Sequence, residues 1–270
     1  MDISIIILNY KSKKLVLNCL KSIKEADFGL LKYEIIVVDN NSQDGLRESL
    51  IKQNLDVIFI ESKKNIGMGA GNNLGIKKAQ GKYIVIMNPD TTVFKDTFKK
   101  IYDFMESNLG VGIVGPKQLY PNQTVQDSCF CWYNLFTPIY RRLPLSNLKF
   151  VKKDLDKFLM KDYNKKDIKE VNWLLGSFLF CRAKALFEVG LFDEHFFLYL
   201  EDTDLCYRFW IKNWKVVYFP KAAIIHDHIR QSARIAWYKF FISKTTICHI
   251  ISWLKYLKKR GINSHKLRIN

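Results

Sequence analysis

Residues 4–23 read SIIILNYKSKKLVLNCLKSI, and this one stretch sets the pattern for the first third of the chain. Ile5, Ile6, Ile7 and Leu8 are consecutive and apolar, which suits a strand covered on both faces, as in a parallel sheet. Leu15, Val16, Cys19, Leu20 and Ile23 then recur at helical spacing. The same alternation continues outward. EIIVVD (34–39) is followed by the turn NNSQDG (40–45), a helical segment to about residue 54, and VIFIES (57–62). The glycine-dotted NIGMGAGNNLG (65–75) leads into a helix, and KYIVIMN (82–88) is the next strand. Apolar strands separated by helices predict an α/β protein with a mostly parallel sheet flanked by helices. Ligands in such sheets bind beyond the carboxyl ends of the strands, so polar residues at those ends are the first candidates for function.

Further along, residues 116–172 read as loops and short helices, with a basic stretch from Arg141 to Lys169. WLLGSFLFCR (173–182) predicts one strand, a helix is expected to begin near Glu201, and VVYF (216–219) is a further strand. There is no internal repeat and no linker-like composition. The simplest organisation is one domain over residues 1–234 and an appendage over 235–270.

With 270 residues, 48% hydrophobic and 14% aromatic, the chain has ample material for a core, which excludes a disordered protein. Lys+Arg outnumber Asp+Glu 43 to 26, for a net charge of +17, which points to acidic partners: phosphate groups, nucleic acid or an anionic membrane. The six cysteines show no CxxC spacing and read as reduced thiols of a cytoplasmic protein. The apolar run that follows Met1-Asp2 is too short for a targeting signal, and no stretch is long enough to span a membrane.

No acidic residue follows Asp227. On a helical projection Ile242, Ile247, Ile250, Trp253, Leu254 and Leu257 fall on one side, with Lys244, Lys255, Lys258 and Lys259 opposite. Such a basic amphipathic helix fits an interfacial membrane anchor, and equally a helix docked on the domain with its lysines in water.

The polar strand ends supply the chemistry. Asp39 closes the second strand, where a carboxylate accepts hydrogen bonds from a nucleotide or simply caps an Asx turn. Asn88-Pro89-Asp90 closes the fourth, a placement suited to a hard divalent cation shared with phosphates. Glu201, Asp202 and Asp204 put three carboxylates into four residues, beside the aromatic run 195–199. Burial there raises a carboxylate toward the range of a general base; the same acids also favour a helix start, and Asp204 has an i,i+4 partner in Arg208. His226 and His228 follow the late strand and are candidate metal or phosphate contacts.

In their order along the chain, SIIILNYKSKKLVLNCLKSI, IIVVDNNSQDG, NIGMGAGNNLGIKKA, IMNPDT, WLLGSFLFCR, GLFDEHFFLYLEDTDLCYR and the histidine region before RQSAR resemble the family 2 glycosyltransferases of GT-A fold, in particular the bacterial rhamnosyltransferase-like branch. The resemblance covers residues 3–234 and carries expectations with it. It implies that Asn9, Tyr10 and Asp39 hold the base and ribose of a nucleotide sugar, and that Asn65, Gly67, Asn73 and Asn88 line the nucleotide and diphosphate. Asp90 stands in the metal motif and contacts the donor as well, as ligand to Mg²⁺ or Mn²⁺, with Asn88 in place of the usual first acid. His226, or His228, would be the second metal or diphosphate contact. Asp202 would be the catalytic base of an inverting transfer, and Trp173, Gly176, Ser177 and Glu201 would border the acceptor. The implied reaction moves a sugar, rhamnose from dTDP-rhamnose first and a UDP-linked hexose second, to a glycan or polyprenyl-diphosphate-linked acceptor in polysaccharide assembly. The expected setting is the inner face of the cell membrane, held peripherally at an anionic surface. A nucleic-acid-binding protein is the rival reading. Against it, carboxylates occupy the strand ends, where they would repel a phosphate backbone.

Overall fold

The computed structural model describes residues 1–141, 147–227 and 244–261. The chain opens with β1 (Ile3–Asn9), α1 (Lys13–Lys24), β2 (Tyr33–Asp39), α2 (Leu46–Lys52), β3 (Ile58–Glu61), α3 (Met68–Ile76) and β4 (Tyr83–Met87). Strand β1 pairs in parallel with β2 and with β4, and β2 with β3. Side chains of β1 alternate between two buried layers. Ile3, Ile5 and Ile7 pack with Val16, Cys19, Leu20 and Ile23 of α1, while Ile6 and Leu8 join the opposite layer with Ile76 of α3. Both faces of the strand are therefore dry, and its continuous apolar run follows from that.

The second half contributes β5 (Thr91–Val93), α4 (Thr97–Ser107), β6 (Val111–Leu119), β7 (Cys129–Phe130), α5 (Thr137–Tyr140), α6 (Lys149–Phe158), β8 (Lys169–Glu170), β9 (Trp173–Leu174), β10 (Phe178–Arg182), α7 (Ala183–Val189), α8 (Glu201–Ile211), β11 (Lys215–His226) and α9 (Lys244–Arg260). β10 inserts antiparallel between β4 and β6, and β11 runs parallel to β6, giving the order β3-β2-β1-β4-β10-β6-β11-β5. β8 adds to β11, and β7 pairs with β9 in a separate small sheet. The sheet is mixed rather than mostly parallel, with four parallel pairings and four antiparallel ones made by β10, β5 and β8, and helices cover both faces.

Three local expectations are corrected. Residues 173–182 form two strands in two sheets, because the chain turns at residues 175–177 to bring Gly176 against α8. The segment 116–172 is not only loops and short helices: β6, with buried Val111, Ile113 and Val114, runs into its start, and β7, β8 and β11 complete that side of the molecule. The glycine-dotted segment does not precede a helix; most of it is helix α3. The expected boundary at residue 234 and His228 lie outside the described residues.

Glycine serves α3 by letting it approach the sheet. A Cβ on Gly71 would lie 2.6 Å from Leu8 Cδ1, and one on Gly75 2.7 Å from Ile6 Cγ2. Gly75→Val should therefore cost about 1–3 kcal/mol of stability through overpacking, seen as a lower urea midpoint. An unchanged midpoint in urea unfolding would show that α3 can lift off β1 at no cost.

Candidate active site

The ends of β1 and β2 meet in register, Asn9 beside Asp39. Asn9 Nδ2 donates to Asp39 Oδ1 at 2.7 Å, to Ser42 Oγ at 3.0 Å and to Asp44 Oδ2 at 3.1 Å. Asp39 Oδ2 accepts the Ser42 N–H at 2.9 Å, so Asp39 does cap its own turn, and it does so at a strand end. Tyr10 stands exposed beside it. Asn40 is buried and grips the glycine loop: its Nδ2 donates to Asn65 Oδ1 and Gly67 O, each at 3.0 Å, and its Oδ1 accepts from Ile66 N. Gly67 has φ +91°, and a Cβ there would lie 2.5 Å from Phe197 O. Met68 N donates to that same carbonyl at 2.7 Å. Asn73 is spent internally: it donates to Phe192 O and Glu194 Oε1 and accepts from Phe192 N.

A second group of residues gathers around the turn after β4. Asn88 N donates to Ser177 O at 2.9 Å, and Ser177 Oγ donates to Gln118 Oε1 at 2.8 Å. Gln126 N donates to Gln118 O, and Gln126 Oε1 lies 2.7 Å from His226 Nδ1. His226 Nε2 lies 3.4 Å from Asp90 Oδ1. That Asp90 oxygen is buried and has no hydrogen-bond partner. A carboxylate and an imidazole converging in a buried place suit a cation between them, and Gln126 is placed where an outer partner orients a ligating imidazole. No cluster of three or more potential ligands occurs among the described residues. One carboxylate and one imidazole nevertheless suffice for an ion that also binds substrate phosphates. The donor set thus fits Mg²⁺ or Mn²⁺ held by Asp90 and His226.

The carboxylates of α8 adjoin this group through one dipeptide. Gly176 N donates to Asp202 Oδ2 at 2.9 Å, and the next residue, Ser177, is the one that holds Asn88 and Gln118. A Cβ at 176 would press on Asp202 at 3.1–3.2 Å, so the approach calls for glycine. Asp202 Oδ1 accepts from Thr203 N and Thr203 Oγ. Burial raises the Asp202 carboxyl above its ordinary range, with the Gly176 and Thr203 donors opposing. Glu201, 6% exposed, is pushed up to about 8, first by burial and then by the neighbouring Asp202 charge. Its Oε2 has no hydrogen-bond partner. Burial thus raises both carboxyls, and the donors from other residues that oppose it, Gly176 N, Thr203 N and Thr203 Oγ, all fall to Asp202.

Several elements converge to hold this helix start. Tyr199 and Leu200 both have positive φ, +70° and +68°, a conformation that costs about 1–3 kcal/mol per residue and persists only where surroundings enforce it. Asp204, wholly buried, receives Arg208 Nε at 2.8 Å, Arg260 Nε at 3.0 Å and Lys259 Nζ at 3.1 Å. The expected Asp204–Arg208 pair is thus present, joined by two cations from α9. Lys259 also bonds Asp193, which together with the His195 contacts holds the Asp193 carboxyl far below its usual range despite burial.

Of the residues singled out in the sequence, Asn9 and Asp39 form one group with Ser42. Asn65 and Gly67 form a second under Phe197, and Asn88, Asp90, Ser177, Gly176, His226, Asp202 and Glu201 form a third. Trp173 lies in an aromatic core, stacked on Phe130 at 4.3 Å with its indole N–H on Cys131 O. Sequence reasoning missed Asn40, Gln118 and Gln126. Asn40 had a signal, being the residue after a strand-end aspartate. The two glutamines had none, because they sit where no periodicity was visible.

Comparison with known proteins identifies the class as a glycosyltransferase of GT-A fold. The family model for glycosyl transferase family 2 matches residues 4–153, more than half the chain, and that for glycosyl transferase family group 2 matches residues 83–257. The chain belongs to glycosyltransferase family 2. It is 26% identical over 256 residues to the rhamnosyltransferase WbbL of Escherichia coli (87% of this chain, 85% of the relative). It is 24% identical over 219 residues to an N-acetylglucosaminyl-diphospho-decaprenol L-rhamnosyltransferase of Mycobacterium tuberculosis (74% and 68%). It is 28% identical over 212 residues to the low-salt glycan biosynthesis hexosyltransferase Agl10 of Haloferax volcanii, covering 77% of this chain but 61% of that protein. Among solved structures, GalNAc-T7 with UDP, GalNAc and Mn²⁺ superposes with TM-score 0.64 at 15% identity (84% of this chain, 44% of that one). TarS of Staphylococcus aureus does so with TM-score 0.59 at 18% identity, over 84% of this chain and 37% of TarS.

The raised Glu201 carboxyl makes stability pH-dependent. The folded protein holds a proton that the unfolded chain releases near the ordinary carboxylate pKa, so its stabilising effect is complete below about pH 4.5 and is lost as pH rises through about 8. Glu201→Gln should flatten the melting temperature across that window and melt several degrees above the parent at its upper end. Parallel melting curves for the two proteins from pH 5 to pH 9 would show Glu201 to be ionised in the fold.

Proposed function

We propose that this chain is an inverting, metal-dependent glycosyltransferase of polysaccharide assembly, with dTDP-rhamnose as donor and a polyprenyl-diphosphate-linked glycan as acceptor. The observation that carries the reading is the Asp202 carboxylate, held by Gly176 and Thr203 and joined through Ser177 to the turn bearing Asp90. Asn9, Tyr10 and Asp39 receive the nucleoside, and the loop of Asn65 and Gly67 lies along the nucleotide. Asp202 accepts the proton of the acceptor hydroxyl as its oxygen attacks the anomeric carbon. The nucleoside diphosphate leaves from the opposite face, which inverts the configuration in one displacement and needs no nucleophilic side chain. Asp90 and His226 would hold Mg²⁺ or Mn²⁺, which when bound would offset charge on the leaving diphosphate.

The relatives named for rhamnosyl transfer, one of them to a decaprenyl-diphosphate-linked N-acetylglucosamine, support this donor and acceptor. TarS has been crystallised with UDP and with UDP-GlcNAc, which keeps a UDP-linked hexose as the second donor reading. Mn²⁺ accompanies the nucleotide in GalNAc-T7 and, with GDP-Man, in the mannosyltransferase PcManGT of Pyrobaculum calidifontis. Such an acceptor and the net charge of +17 suit a peripheral enzyme on the anionic cytoplasmic face of a membrane rather than one acting on nucleic acid.

Asp202→Asn should lower transfer by about 10²–10⁴-fold. Thermal stabilisation by donor with Mn²⁺ should stay within a few-fold of the parent in concentration dependence. Near-normal turnover would remove Asp202 as base. Absence of stabilisation by every dTDP-, UDP- and GDP-sugar would overturn the transferase reading.

A further inference from the structure

Helix α9 turns its aliphatic residues away from the protein. Its docked face consists of Thr246, Ser252, Trp253, Tyr256 and Arg260: Ser252 Oγ donates to Leu198 O at 2.8 Å, Trp253 meets Tyr133 at 5.6 Å, and Arg260 closes on Asp204. At 100° per residue Ile247, Ile250, Ile251 and Leu254 lie on the opposite side, 44, 41, 44 and 60% exposed. Lys258, expected from the sequence on the opposite side, instead lies within this stripe one turn further on and is also exposed. Four large aliphatic side chains in one unbroken stripe are an interaction surface rather than scattered exposure.

We propose that this stripe seats α9 flat on an anionic lipid bilayer while its inner face stays locked on α8. The proposal deepens the reading of a lipid-linked acceptor and rests on it only for the reason the enzyme works at a membrane. Charge decides the occupant. A second copy of the chain would bring stripe against stripe about a two-fold axis, setting Lys258 against a helix that contains no acidic residue. A bilayer rich in acidic lipid accepts the aliphatic groups at the headgroup boundary and pairs Lys258 with phosphate. No described helix is long and apolar enough to cross a membrane, which suits a helix lying in the surface plane. Since Lys259 and Arg260 hold Asp204 two residues from Asp202, a helix resting on lipid sets the carboxylate pair at a fixed height above the headgroups.

The test is co-sedimentation of the full chain with vesicles of phosphatidylcholine alone or mixed with phosphatidylglycerol, without donor or acceptor. The parent should partition onto the mixed vesicles. Ile250→Ser/Leu254→Ser should lower the partition coefficient about tenfold or more, and Lys258→Glu should weaken binding to mixed vesicles only. Both variants alter exposed side chains and should melt like the parent. Partitioning of the double variant equal to that of the parent would overturn the proposal. So would a concentration-dependent dimer in light scattering that the double variant abolishes while vesicle binding is absent or unchanged. Transfer to a water-soluble acceptor analogue, measured in parallel, reads the catalytic assignment separately: its loss in Asp202→Asn with vesicle binding intact separates failure of one reading from failure of the other.

Discussion

A carboxylate with no access to water must be neutralised where it stands, and Asp204 is neutralised by cations from two helices. Arg208 reaches it from within α8, and Lys259 and Arg260 reach it from α9. With three cations converging on one buried carboxylate, the cluster fixes where α8 and α9 sit relative to each other. Here the geometry specified is the first turn of α8. Lys259 also holds Asp193, Lys255 holds His195 O and Ser252 holds Leu198 O, so α9 clamps the whole segment leading into the helix. That segment in turn presses Phe197 O onto Gly67 and Met68. One ion cluster therefore links the carboxylate pair, the glycine loop and the outermost helix.

The clamp accounts for backbone that would otherwise relax. Two successive left-handed residues, Tyr199 and Leu200, are unfavourable for side chains of their size. They deliver Glu201 and Asp202 at the very start of the helix, where N–H groups and the dipole favour negative charge. Burial pushes the other way. The compromise is unequal: Gly176 and Thr203 donors serve Asp202, while Glu201 Oε2 has none. Two adjacent acids thereby sit in unequal hydrogen-bonding surroundings, the arrangement that drives the two pKa values of a carboxylate pair apart.

The parallel half of the sheet was legible because both of its faces are dry, so β1, β2 and β4 announce themselves as apolar runs ending in Asn9, Asp39 and Asn88. Asp90 and His226 were singled out as polar residues at or just past strand ends, and Asp202 as an acid at a helix start, each within an ordered motif. The Ser177–Gln118–Gln126–His226 relay was not. Each of its bonds joins residues far apart in sequence, and a buried glutamine looks like an exposed one until its partner is known. Likewise WLLGSFLFCR reads as one apolar strand, and only the approach of Asp202 to Gly176 explains its break.

Helix α9 shows where pattern reading reaches its limit. Hydrophobic periodicity finds the apolar face of a helix correctly, and the usual inference is that this face meets the protein. In α9 the side that meets the protein carries the ion pairs and aromatic contacts to the domain: Arg260 and Lys259 on Asp204, Arg260 over Tyr207 and Trp253 against Tyr133. Arg260 lies over the Tyr207 ring at 4.5 Å while bonding Asp204, so a single side chain packs and neutralises at once. Periodicity placed Trp253 with the isoleucines, yet it belongs to the docked side. An acidic hole in the domain surface, invisible in the sequence of α9 itself, decides which way the helix faces, and the isoleucines face outward because of it.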